Sequence, residues 1–314
     1  MAVTIAKEKW TSKVAEMVIG QEPNAVKVGG DGTLPFLHFE GEMPNRPVVA
    51  LEVWDMEPTD WPEVLTSAFA GVLNDPVAWA QKCVEYGANL ICLRLASAHP
   101  DNKDASPQDC AATAKAVAEA VNVPLIVIGC GVEEKDASIM EAVGEALSGR
   151  NCLLGCATPN NYKTITAICM VHGHNIIASS PLDINLAKQL NILIMEMNLP
   201  ANRIAIDPLV GALGYGIEYA YSIMERARLG ALTGDKMLAM PVIGFVGQEA
   251  WKTKEAKTED NEEWGGQARR AILWEVVTAT TFAQAGGSIF VMRHPEAMKQ
   301  FNAHIDVMMK SNAY

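Results

Sequence analysis

The sequence predicts an α/β protein built as a TIM-type (β/α)8 barrel, and three observations carry that expectation. Eight short runs of apolar and β-branched residues recur from Pro47 onward. Helix-period segments fill the intervals between them. The runs are nearly continuous rather than alternating, the pattern of parallel strands buried on both faces. A doubly wound open sheet is the alternative. It would want a dinucleotide fingerprint in a βα turn, and Gly129-Cys130-Gly131 continues as Val132-Glu133-Glu134 without the third glycine.

Residues 1–46 stand outside the rhythm and read as an N-terminal helix and β-hairpin extension, with the barrel over 47–314. Lys7–Ile19 sets Trp10, Val14, Met17 and Val18 on one helical face. Val26–Val28 and Phe36–Phe39 then flank Gly29-Gly30-Asp31-Gly32, apolar strands around a glycine-rich turn. Such a hairpin is expected to cover the bottom of the barrel, with a partner contact as its second use. The strands follow at Val48–Trp54, Leu90–Leu95, Leu125–Ile128, Cys152–Cys156, Ile176–Ala178, Ile204–Ile206, Val242–Val246 and Ser288–Met292. Helices are expected at Asp75–Glu85, Pro107–Val121, Glu134–Leu147, Asn161–Val171, Pro181–Met197, Ile217–Leu229 and Gln267–Gln284, closed by Pro295–Met309.

Two connections exceed ordinary loop lengths. Trp54–Asn74 contains EPTDWPEV, and Gln248–Gly266 contains the charged stretch KTKEAKTEDNEEWGG. Loops this long in a compact domain are usually functional or disordered. The second reads either as a solvated surface loop or as a lid or docking element.

Bulk properties remove several function classes. A net charge of −12 and a pI near 5.0 leave no basic stripe for nucleic acid or an anionic membrane surface. No run reaches the roughly 18 apolar residues of a membrane span. MAVTIAKEKW lacks an apolar leader, so no signal peptide is expected. Seven cysteines in mostly apolar segments point to reduced thiols and a cytoplasmic location.

In a barrel the reactive rim lies at the carboxyl ends of the strands. Those ends present Asp55 and Glu57; Arg94, Ser97 and His99; Cys130; Thr158, Asn160 and Asn161; Ser179 and Ser180; Asp207; Gln248 and Glu249; and Arg293 and His294. Neither a nucleophile elbow, a P-loop nor a metal-ligand spacing is present among them. Cys152 and Cys156, four apart on a strand, are expected to share a face as core thiols. His172 and His174 precede a strand and belong to the opposite, structural rim. Asp207, directly before Pro208, reads as a stabilising or capping carboxylate or as an acceptor for a heterocycle. The loop Gly211–Gly216, with Leu213, Gly214 and Tyr215, is a loose turn or a bare-backbone approach to an amide or phosphate at a helix start. Arg293-His294 suits an anion or a salt bridge. From the residues alone, the rim is mildly polar and holds no complete catalytic constellation.

Several longer strings resemble a specific family: PVVALEVWDM (Pro47–Met56), NLICLRLAS (Asn89–Ser97), PLIVIGCGVEEKD (Pro124–Asp136), GCATPNNYK (Gly155–Lys163), IASSPLDINLAKQLN (Ile177–Asn191), IDPLVGALGYGIEY (Ile206–Tyr219) and VMRHPEA (Val291–Ala297). Together they resemble the small, delta-type subunit of the corrinoid iron–sulfur protein in the acetyl-CoA synthase/decarbonylase system. The resemblance implies a barrel paired with a larger subunit that carries the iron–sulfur cluster and a corrinoid-binding domain. The corrinoid would lie between that domain and the open top of this barrel. Its cobalt would cycle between Co(I) and methyl-Co(III), taking a methyl group from methyltetrahydrofolate through a separate methyltransferase and delivering it to acetyl-CoA synthase. The chain has neither a four-cysteine cluster motif nor a DxHxxG lower-ligand motif, which agrees with that division of labour. Its own contribution would be a wall around the macrocycle. The residues placed there by this reading are Thr158, Asn160, Asp207, Gly211, Leu213, Gly214, Tyr215, Gly216, Gln248 and Arg293. Two rival readings are a pterin-dependent methyltransferase, with Asp207 and Asn160 on the pterin edge, and a purely structural partner subunit docking through Glu255–Glu263, Trp251 and Trp264.

Overall fold

Eight parallel strands close into a barrel in the computed structural model, which describes residues 6–310. An antiparallel pair precedes them, β1 (Glu16–Ile19) and β2 (Val26–Gly29). The barrel strands are β3 (Val48–Trp54), β4 (Leu90–Arg94), β5 (Leu125–Ile128), β6 (Leu153–Ala157), β7 (Asn175–Ser179), β8 (Ile204–Asp207), β9 (Val242–Gly244) and β10 (Gly287–Met292). They pair in sequence order, and β10 returns to β3 with Ile289 opposite Val48. All eight strands expected from the sequence are present, displaced by at most two residues at an end.

The helices are α1 (Glu63–Thr66), α2 (Pro76–Glu85), α3 (Pro107–Ala120), α4 (Glu133–Ala146), α5 (Tyr162–His172), α6 (Ile184–Glu196), α7 (Ile217–Leu232), α8 (Val246–Ala250), α9 (Lys254–Lys257), α10 (Gln267–Ala285) and α11 (Pro295–Met308). Local chemistry starts several of them. Asp75 and Asp183 accept from the first free N–H groups of α2 and α6, and Ser106 and Asp109 form a capping box on α3. Both long connections contain helix: α1 lies in the first, and α8 and α9 in the second. Among the described residues no helix is long and apolar enough to cross a membrane.

Strand alternation divides the core into two shells. Val49, Leu51 and Val53 face the helix layer, whereas Val48 and Ala50 join Leu90, Cys92, Ile126, Ile177 and Ile289 inside the barrel. The β1–β2 pair closes the floor: Met17, Ile19 and Val28 are fully buried against that inner cluster. Asn151 and Asn175 each donate a side-chain N–H to the Val18 carbonyl, at 2.9 and 3.0 Å, and fasten the plug.

The extension departs from expectation in two respects. Lys7–Ile19 is not a helix, because the segment runs extended and its end pairs as β1. Met17 and Ile19 go inward with a period of two, and burying both in the floor outweighs the weak helical amphipathicity. The hairpin therefore forms backward, between 16–19 and 26–29, instead of forward to Phe36–Phe39, which lies in turns. Gly29 is needed there: at φ 75° its missing Cβ would sit 2.3 Å from the Ala15 carbonyl oxygen. Behind the hairpin, Asp31 pairs with Arg228 at 2.8 Å, both buried, tying the extension to α7.

Candidate functional site at the barrel mouth

Glu52 is the third inward position of β3 in the series Val48, Ala50, Glu52, and it sits where the apolar interior ends. Its side chain is completely buried. Arg94, ending β4, donates Nε–H to Oε1 at 2.5 Å, and Arg293, just past β10, donates Nε–H to Oε2 at 2.6 Å. Burial opposes ionisation of Glu52, but the charges of Arg293 and Arg94 overcome it and hold the carboxyl at about 2. Trp54 adds an indole N–H to Oε1 at 3.0 Å, and the Arg293 guanidinium lies over the Trp61 ring at 4.7 Å. Arg94 also reaches Gln248 Oε1 at 2.5 Å. This layer closes the mouth from below.

Glu275 of α10 fixes the end of β10. It accepts from the backbone N–H of Arg293 at 2.5 Å, from that of His294 at 3.2 Å and from the Trp251 indole at 2.8 Å. Gly247 must be a glycine here, since a Cβ would stand 2.7 Å from the Arg293 nitrogen. The α8 segment is thereby seated against the mouth, which aims Gln248 at Arg94.

A second group lies across the barrel. Asp207, the last residue of β8, is buried and accepts from the Ser179 hydroxyl and from the Leu209 N–H. Burial pushes its carboxyl up to about 6. Cys156 is beside it, with a thiol that burial raises to about 12. Cys152 and Cys156 do not share a face: Cys152 joins the helix-side shell and Cys156 the inner one. The pairing of β6 with β7 shifts between Leu154 and Ala157, which breaks the simple alternation.

At the lip, Thr158 and Asn160 converge on Glu133, the first residue of α4. The Thr158 hydroxyl donates to Oε1 at 2.7 Å and the Asn160 amide to Oε2 at 2.8 Å. These bonds, Thr158 first, lower the Glu133 carboxyl below its ordinary range. Next door, the Asp136 carboxylate accepts from the Cys130 and Gly131 N–H groups at 2.7 and 3.0 Å and shapes the turn after β5.

The loops after β7 and β8 expose apolar side chains. Leu182 is 45% exposed, Leu209 44% and Tyr215 48%. Both leucines occupy left-handed backbone, at φ 40° and 58°, a conformation unfavourable for a branched residue. The Leu182 N–H donates to the Pro208 carbonyl at 3.1 Å and holds the two loops together. In the following turn Gly211 packs under the next residues, where a Cβ would meet the Tyr215 carbonyl oxygen at 2.5 Å. Leu213 is fastened through its backbone to Thr278 and Trp274. Gly214 and Gly216 take φ 77° and 87°, and the Tyr215 hydroxyl donates to Glu255 at 3.0 Å.

The sequence-stated positions thus fall into three neighbouring groups around one mouth: Gln248 with Arg293; Asp207 with the 211–216 turn; and Thr158 with Asn160. Sequence reasoning missed Glu52, Trp54, Trp61, Glu133 and Glu275. A carboxylate inside the apolar run VVALEVW was a readable signal for Glu52. Glu275 gave none, because one acid in an amphipathic helix is ordinary. His174 is buried at the other end, bonded to the Gly144 carbonyl at 2.9 Å, as the structural rim requires.

A family model described as CO dehydrogenase/acetyl-CoA synthase delta subunit matches residues 16–307. The acetyl-CoA decarbonylase/synthase complex subunit delta of Methanocaldococcus jannaschii is 36% identical over 305 residues, covering 93% of this chain and 73% of that protein. Subunit delta 1 of Methanosarcina thermophila is 34% identical, covering 92% and 69%. Among solved structures, dihydropteroate synthase from Xanthomonas albilineans in complex with 7,8-dihydropteroate superposes with a TM-score of 0.59 at 13% identity, over 89% of this chain and all of that one. The enzyme from Thermus thermophilus gives 0.57 at 14% identity, over 88% and 98%. At that identity the likeness is one of fold.

Proposed function

The chain belongs to the CO dehydrogenase/acetyl-CoA synthase delta subunit family, and on that premise we propose that it is the small subunit of a cytoplasmic, heterodimeric corrinoid iron–sulfur methyl carrier. Its barrel mouth would cover a corrinoid held by the larger subunit, which also carries the iron–sulfur cluster. When bound, the corrinoid supplies the cobalt that carries a methyl group from a methyltetrahydrofolate methyltransferase to acetyl-CoA synthase.

The observation that carries this reading is the form of the mouth. Its floor is closed by the Glu52–Arg94–Arg293 layer, so a large ring cannot enter and would lie across the top. The lip over β7 and β8 offers exposed Leu182, Leu209 and Tyr215 on loops fixed by backbone bonds, a surface suited to a broad, flat, largely apolar ligand. Gly214 and Gly216 keep the neighbouring backbone bare. On this reading Thr158 and Asn160, steadied by Glu133, form the opposite lip, and the whole rim excludes water from the covered face. The pterin-transferase alternative has less support, because Asp207 is 1% exposed, with its oxygens turned to Ser179 and Leu209, and the Asn160 amide is turned to Glu133.

Co-expression with the larger subunit tests the assignment. The purified pair is expected to carry about one cobalt per heterodimer. Tyr215→Glu with Leu209→Glu should lower cobalt retention several-fold while the heterodimer persists on size exclusion. Full cobalt retention in that double variant would refute the covering role.

A further inference from the structure

We propose that the mouth contains a small-oxyanion site, built on Arg94 and Arg293 beside Gln248, that accepts a phosphate or carboxylate group. The first observation is a charge mismatch. Two guanidiniums share one carboxylate, Glu52, so the layer carries one more positive charge than the acid bonded to it. Arg293 is 4% exposed, and its fixed charge has little access to bulk water. Nearby Lys252 is already matched by Glu249 at 2.8 Å, and Asp60, which shares a cavity with both arginines, is exposed, so solvent screens its charge.

The second observation is unused donor capacity. Among the described residues, hydrogen bonds occupy Nε of Arg293 and Nε and Nη2 of Arg94, so three of the six guanidinium nitrogens have no acceptor. None of those three is sealed from solvent. Both arginines line a cavity of about 250 Å³, together with Gln248, Trp54, Asp60, Asn102 and Lys252. Planar guanidiniums locked by a common carboxylate keep their remaining N–H groups in a fixed array, which suits the oxygens of a bound anion. Glu52 therefore acts as the positioning residue: it orients both arginines and sets how much positive charge is left over.

The inference does not depend on the corrinoid reading, because it concerns this chain alone. Titration of the purified chain with inorganic phosphate and with acetate, read by the fluorescence of Trp54 and Trp61 beside the site, tests it. Saturable binding that weakens with added sodium chloride is expected. Gln248→Glu puts a competing carboxylate against Arg94 and should reduce affinity at least about tenfold while strengthening the local ion pair. Glu52→Gln keeps one acceptor but removes the negative charge the two guanidiniums share and, where it folds, should bind at least about tenfold more tightly; no gain in affinity would count against the charge mismatch. Absence of saturable binding in the wild-type chain up to roughly 50 mM, a concentration range well above millimolar affinity, overturns the proposal. Binding that Gln248→Glu leaves unchanged overturns it equally, since the anion would then sit elsewhere.

Discussion

Asp207 and Glu52 are both acids inside one barrel, yet their surroundings drive them in opposite directions. Two guanidiniums hold Glu52 ionised, whereas Asp207 has only a hydroxyl and one N–H to offset its burial, with Glu249 adding a like charge. The consequence for stability follows from proton linkage. Asp207 titrates at about 6 in the folded chain and near 3.8 when unfolded, so between those values the folded state binds a proton that the unfolded state has released. Stability from this group is therefore greatest below about 4 and declines as pH rises through 6. By pH 7.5 the ionised, buried carboxylate costs on the order of 3 kcal/mol. Asp207→Asn should flatten that segment of the pH profile, so urea midpoints of wild type and variant should diverge between pH 4.5 and 7.5. Parallel profiles would contradict it. The residue scale is also where sequence reading reached its limit: Asp207 stood out at a strand end before proline, whereas Glu133, Glu275 and Trp61 owe their roles to partners more than 14 positions away and carried no local signature.

Among the elements, the barrel strands were legible because eight buried apolar runs admit few other interpretations, and their order of pairing follows from the fold. The extension was not, because its helical periodicity competed with a long-range demand: Met17 and Ile19 fill the floor only if the segment is extended. The charged connection after β9 shows a different dependence on distant contacts. One side chain, Arg270 of α10, gathers it by donating to the carbonyls of Glu255, Thr258, Trp264 and Gly265, while its guanidinium and the Lys254 ammonium lie over the Trp264 ring. Of the two readings its sequence allowed, a solvated surface loop or a lid or docking element, the structure replaces the first with a structured strap. Arg270→Ala should release it, with limited proteolysis near residues 254–265 accelerated about tenfold or more and global unfolding changed by less than about 1–2 kcal/mol, as for a locally opening unit. An unchanged cleavage rate would mean that the strap is held by other contacts.

For the whole molecule, the two ends of the barrel are built differently. The floor is a packed plug of aliphatic side chains fastened by Asn151 and Asn175, and it gives rigidity. At the mouth a charged layer lies below an apolar lip, the arrangement on which the proposed covering role rests. Hydrogen exchange on the chain alone and in complex with the corrinoid-loaded large subunit tests this asymmetry most directly. The covering role predicts new amide protection at residues 158–161 and 209–216, with exchange in the 16–29 hairpin unchanged. Protection at the hairpin or along the outer helices, with the mouth as exchangeable as before, would contradict it.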